Sequence, residues 1–181
     1  MAELERMSEG TLSTTADWRL GLRGILTSSS PGARVALIGV GHPMRGDDYV
    51  GSFVIKTLIK DIKTDRVIFF DAEDGIEWTI SKLAKTPLRR VVVIDACEMN
   101  ASPGEIVLVP LAETEYPFFT THGIPLKLLT SKLLPNVEAS ILAIQPGRMG
   151  LNDRLSPPVF AAANLVSEVI ATTLWEVESG A

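Results

Sequence analysis

The chain holds one cysteine, two histidines and only 6% aromatic residues in 181 positions. A lone thiol, Cys97, cannot close an internal disulfide, so stability must come from the core, as is usual in a reducing compartment. Positive charge is not in excess: 17 Lys and Arg face 22 Asp and Glu, for a net charge of -5 and a pI of about 5.1. That balance argues against nucleic acid or an anionic membrane as partner, since both require clustered cations. No uncharged apolar run approaches the ~20 residues of a membrane span. The opening MAELERMSEGTLSTT lacks the apolar stretch of a signal peptide. Together these absences lead us to expect a cytoplasmic protein with neither a membrane nor a nucleic-acid partner.

Several chemistries are missing too. There is no His-Glu-x-x-His zinc signature, no Gly-x-Ser-x-Gly elbow and no Gly-x-x-x-x-Gly-Lys phosphate loop. Gly39-Val40-Gly41 opens like a dinucleotide fingerprint, but Met44 stands where the third glycine belongs. A dinucleotide-binding module is therefore disfavoured.

What is present is a globular composition, 46% hydrophobic and 22% charged, at the length of one domain. Residues 1–33 read as an N-terminal extension. Within it Trp18, Leu22, Ile25 and Leu26 fall at helical spacing, and Ser28-Ser29-Ser30-Pro31-Gly32 forms a break. Residues 34–181 alternate in type. Short apolar runs at 35–40, 66–70, 90–95, 105–111 and 139–144 read as strands. Helical periodicity marks 47–59, 75–84, 121–134 and 157–174. Pro110 places the fourth strand at an edge. The fold class this predicts is α/β: a single three-layer αβα domain with a largely parallel, doubly wound sheet of about five strands.

In such sheets ligands bind beyond the carboxyl ends of the strands, where the strand order reverses. A spatial order of 2-1-3 makes strands one and three neighbours. The loop after strand one would then bring Asp47 and Asp48 to the crevice that Asp95 reaches from the end of strand three. Acids at a helix start also serve as caps, and one suffices, so one of Asp47 and Asp48 is surplus to that need. Asp95 ends a run buried on both faces and needs a partner there, either an Asx turn or a ligand. His42, in the Gly-rich loop, and His122, in Thr121-His122-Gly123 at a helix start, compete as a third group. An imidazole with two carboxylates suits nickel, zinc or iron, with positions left open. Cys97 reads as a small buried thiol, and Trp18, Trp78 and Trp175 as core or interface residues.

The stretch Gly39-Val40-Gly41-His42-Pro43-Met44-Arg45-Gly46-Asp47-Asp48-Tyr49-Val50-Gly51 resembles the first motif of the hydrogenase maturation endopeptidases. Val93-Ile94-Asp95-Ala96 is similar to their second motif and Thr121-His122-Gly123 to their third, in the same order. The resemblance runs from about residue 34 to the end. It implies an endopeptidase that removes a C-terminal extension from the large-subunit precursor of a nickel-iron hydrogenase after nickel insertion. It also implies that Asp48, Asp95 and His122 contact the metal, which is nickel carried by the substrate and not held tightly by the free enzyme. Asp48 and Asp95 are then the catalytic candidates, with a water activated by metal or carboxylate as attacking group. One departure is clear: the family usually has Asn where this chain has His42. Two other classes are kept beside this reading, a metal-dependent chaperone that checks cofactor insertion and a small-molecule metallohydrolase.

Overall fold

The computed structural model describes residues 17–28, 34–113, 125–151 and 154–180. The elements run α1 (Trp18–Thr27), β1 (Arg34–Val40), a 3-10 turn (Gly46–Tyr49), α2 (Val50–Asp61), β2 (Val67–Glu73), α3 (Ile76–Leu83) and β3 (Leu88–Ala96). They continue with β4 (Ile106–Pro110), α4 (Leu126–Leu133), β5 (Glu138–Ile144) and α5 (Pro157–Ser179). The sheet order is β2-β1-β3-β5-β4. Every pairing is parallel except β4 with β5, and β4 is the edge strand expected from Pro110.

Alternation along the strands divides the core. Val35, Leu37, Val92, Ile94, Leu142 and Ile144 point to one face, which α1, α2 and α5 cover. Ala36, Ile38, Val91, Val93, Ile141 and Ala143 point to the other, beneath α3 and α4. Successive side chains leave opposite faces of a strand, so a strand covered on both sides has to be apolar throughout. Trp18, Leu22 and Leu26 on α1 belong to the same buried cluster as Val166, Ile170 and Leu174 on α5. Arg23 pairs with Glu176 at 2.5 Å across that contact, and Arg90 donates to Ser28 Oγ just after α1.

Among the described helices, α5 is long and apolar enough to cross a bilayer by length and composition. Its inner residues Val159, Ala163, Val166 and Ile170 are buried in the fold, and the exposed Glu168 interrupts it. Its apolarity is thus spent on the core.

Some sequence expectations shift. The helix foreseen from Asp47 starts at Val50, because Gly46–Tyr49 winds more tightly as a 3-10 turn. The second strand extends to Glu73 beside β1. The helix foreseen over 121–134 is seen from Leu126, and residues 121–124 lie outside the described set. Trp78 and Trp175 are 62% and 66% exposed, so only Trp18 is a core tryptophan. Trp78 instead carries the Lys82 ammonium 3.5 Å above its ring.

Candidate active site

Close backbone packing at the carboxyl edge of the sheet builds the site. The first turn of α2 lies directly on the ends of β1 and β3. A Cβ at Gly51 would stand 2.0 Å from the Ile94 carbonyl oxygen and 2.6 Å from that of Val40. Gly41 has φ of 126°, a conformation that favours glycine, and a Cβ there would fall on the Asp48 carbonyl. Two further bonds fix the loop: Ser52 Oγ donates to the Gly41 carbonyl at 2.8 Å, and Gly41 N donates to the Glu73 carbonyl at 3.0 Å. The two glycines thus let the turn carrying Asp47 and Asp48 sit against the end of the strand carrying Asp95.

Asp47 and Asp48 part company at once. Asp47 is fully buried. Its carboxylate accepts from the backbone N–H of Gly147 (2.8 Å), Arg148 (2.9 Å) and Ser156 (2.5 Å), and from Ser156 Oγ (2.7 Å). Its own N–H donates to the Arg148 carbonyl at 2.8 Å. Burial alone would raise its pKa, but these bonds outweigh burial and hold it below the ordinary value. Asp47 is a structural clamp between the loops after β1 and β5. The capping role weighed for it is replaced by a longer-range one.

Asp48 is half-buried, and its Oδ2 accepts the His42 backbone N–H at 2.9 Å, closing loop 42–48. His42 Nδ1 accepts the Met44 N–H at 3.2 Å. The ring therefore braces its own loop on that side.

Asp95 stands at the end of β3, where the sequence placed it. Its carboxylate accepts one bond from Ala96 N–H at 2.8 Å, the turn at the strand exit. Its pKa is pushed up to about 8, first by burial and then by the charge of Asp48, with the Ala96 bond pulling the other way. The fold therefore brings Asp48 and Asp95 into electrostatic contact across β1 and β3, as the 2-1-3 order predicts. Beside them, burial and then the Asp95 charge push the Cys97 thiol well above its ordinary value. A neutral thiol is a poor nucleophile.

His122 lies outside the described residues. Among the described residues no group of three His, Cys, Asp or Glu side chains converges as a metal site. Gln145, which sequence reasoning passed over, is 3% exposed just beyond β5. Its Oε1 accepts from Met99 N–H (2.7 Å) and Ala101 N–H (3.3 Å), and its Nε2 donates to Glu98 Oε1 (2.8 Å). It fixes the chain leaving β3 just after Asp95. The available signal was an amide directly after an apolar strand, where it must find partners. Ser156, the other partner that went unread, had the weaker signal of a cap residue before Pro157.

The fold recurs in solved structures. A [NiFe] hydrogenase maturation protease, HycI, from Thermococcus kodakarensis superposes with a TM-score of 0.74 at 27% identity, covering 85% of this chain and 98% of that one. The crystal structure of a hydrogenase 3 maturation protease gives 0.69 at 26% identity, over 77% and 90%. In sequence, the hydrogenase 3 maturation protease of Escherichia coli (strain K12) is 29% identical over 146 residues, 80% of this chain and 92% of the relative. In sequence and in fold the chain is similar to the hydrogenase maturation proteases. It is a peptide hydrolase, on the same three-layer α/β fold. No family model matches the sequence.

Proposed function

We propose that this maturation protease removes a C-terminal extension from the large-subunit precursor of a nickel-iron hydrogenase, and does so after nickel is in place. Asp48, Asp95 and His122 are the residues that read the metal, which is part of the substrate. The observation that carries this reading is the Asp48–Asp95 pair. Two carboxylates from separate elements share one crevice, and neither is neutralised by a Lys or Arg among the described ion pairs. Their repulsion raises Asp95, and an arriving cation relieves that repulsion as Asp95 gives up its proton. Carboxylates with one imidazole suit a borderline divalent ion. His122 takes the third place by the resemblance of Thr121-His122-Gly123.

The chain's own groups then have distinct duties. Asp47 and Gln145 fix the two loops on either side of the pair. Asp48 is positioned by the His42 backbone N–H, which its Oδ2 accepts. Asp95, once the arriving cation has displaced its proton, is the carboxylate suited to take a proton from the attacking water. The metal supplies anchoring, and Lewis acidity where it contacts the scissile carbonyl.

The test is incubation with nickel-loaded and nickel-free precursor, followed by mass spectrometry. Trimming of the loaded form alone is expected. Equal trimming of both forms would refute metal reading, and binding without any trimming would favour a chaperone. Asp95→Asn should lower processing of the loaded precursor by orders of magnitude while the protein stays folded.

A further inference from the structure

The rim of the site has a composition unlike the rest of this acidic chain. The loop after β1 exposes Met44 and Arg45, and the loop after β5 exposes Arg148, Met149, Leu151 and Arg154. The Asp47 bonds to Gly147, Arg148 and Ser156 hold these loops side by side. Met44, Met149 and Leu151 are 49%, 52% and 73% exposed. Some cations elsewhere are answered, Arg23 by Glu176, Lys56 by Asp71 and Glu73, and Arg90 by Glu138, while exposed Arg34, Lys63 and Lys85 form no ion pair among the described residues. The three rim arginines have no ion-pair partner among the described residues. Met and Arg are the side chains enriched at protein interfaces, where Lys and Glu are depleted.

We propose that this rim is a docking surface for an acidic, partly apolar segment of the hydrogenase precursor, engaged next to the Asp48–Asp95 crevice. The proposal rests on the processing function above and adds to it what the enzyme grips besides the metal. Charge complementarity decides the occupant. Three exposed guanidiniums with no ion pair among the described residues, clustered with apolar side chains on a protein of net charge -5, complement carboxylates of a partner. The intervening methionines and Leu151 supply apolar contact that adapts its shape. The surface is also continuous with the site, because one loop carries Met44, Arg45 and Asp48. Rim charges act mainly on encounter and on affinity, so they should govern substrate capture and leave bond cleavage alone.

The experiment compares two triple variants with the same charge change. R45E/R148E/R154E reverses the rim, and R34E/K63E/K85E reverses exposed cations beyond the opposite ends of the strands. Affinity for full-length nickel-loaded precursor is measured on immobilised protein at low and high salt, in an Asp95→Asn background so that substrate survives. Processing is measured in parallel on proteins that retain Asp95. The rim variant should bind at least about tenfold more weakly at low salt, with its salt dependence largely lost. It should show a raised KM with kcat within about twofold, and the control variant should match wild type. Equal weakening in both triples, or unchanged rim affinity, would overturn the proposal. Binding to wild type without trimming would defeat the processing reading, and the affinity comparison would still judge the rim. Neither binding nor trimming by wild type would defeat both.

Discussion

Burial acts to raise the pKa of both Asp47 and Asp95, yet Asp47 lies below the ordinary carboxylate value while Asp95 is pushed up to about 8. Burial by itself would leave both raised. The difference lies in donors. Asp47 accepts four hydrogen bonds and has no carboxylate acting on it, whereas Asp95 accepts one and faces the charge of Asp48. A fold can thus use one residue type in two ways at the same sheet edge. Where donors converge, the acid is a permanent anion that holds loops together. Where they are withheld, it stays poised for a cation or a proton.

The largest stability effect should come from removing the clamp. Asp47→Ala leaves the Gly147, Arg148 and Ser156 amides and the Ser156 hydroxyl unanswered. An unsatisfied buried donor costs ~1–3 kcal/mol, so even with loop relaxation the loss is on the order of 4 kcal/mol. That corresponds to a fall of about 10 °C in Tm for a domain of this size. The pH dependence has a definite sign. The folded pKa of Asp47 is depressed, so its contribution is present above the unfolded value near 3.8. It is lost as pH falls through the lower, folded value. Thermal unfolding followed from pH 7 down to pH 2 checks both points. A loss under about 1 kcal/mol in Asp47→Ala would deny the clamp its role.

Next comes the glycine that brings the two acids together. Gly51→Ala pushes a methyl into the Ile94 and Val40 carbonyls, which are backbone and cannot rotate away. Overpacking of this kind costs ~1–3 kcal/mol and should shift the turn bearing Asp48. Reduced Tm together with a lowered Asp95 pKa, read by carboxyl NMR, is the expected signature. Reduced Tm with an unchanged pKa would mean that the pair does not depend on this approach.

An effect opposite in sign, growing toward high pH, is expected at Asp95. Its folded pKa is raised above the unfolded value, so the folded state prefers the protonated form. Stability from that group is full below about pH 3.8 and declines as pH rises toward about 8. Asn imitates the protonated acid at every pH. Asp95→Asn should therefore match wild type at pH 4 and melt several degrees higher at pH 8. Equal melting at both pH values would show that Asp48 and burial do not load Asp95. Binding of nickel-loaded precursor by wild type should strengthen over the same range, as the proton leaves.

These contrasts explain what the sequence could and could not disclose. The five strands were legible because a sheet covered on both faces demands unbroken apolar runs such as Val91-Val92-Val93-Ile94. The 2-1-3 order followed from crossover handedness, and with it the meeting of Asp48 and Asp95. The division of labour between Asp47 and Asp48 was not legible. It depends on bonds to residues about a hundred positions away, in a loop with no periodicity to read. Gln145 escaped for the same reason. The tryptophans, read as core or interface residues, divide accordingly: Trp18 is buried, whereas Trp78 and Trp175 are exposed, Trp78 with the Lys82 ammonium over its ring. Residues 114–124, with His122, lie outside the described set, so His122 enters the proposed site through its motif alone.

The smallest effect should be at His42, the position where this chain departs from the family's usual Asn. Its ring contributes one acceptor, Nδ1, to the Met44 N–H at 3.2 Å in a half-exposed loop. The bond that closes the loop onto Asp48 comes from the His42 backbone N–H, which any residue but proline supplies. His42→Ala should therefore cost no more than about 1 kcal/mol, the net worth of one ordinary hydrogen bond. His42→Asn should cost less still, since a side-chain amide oxygen can accept the same N–H two residues on. Both variants should process precursor at close to the wild-type rate, in contrast to Asp95→Asn. The informative failure is specific: if His42→Ala keeps its Tm but loses processing as Asp95→Asn does, the free Nε2 faces the substrate. His42 would then belong with Asp48 and Asp95 among the groups that touch it.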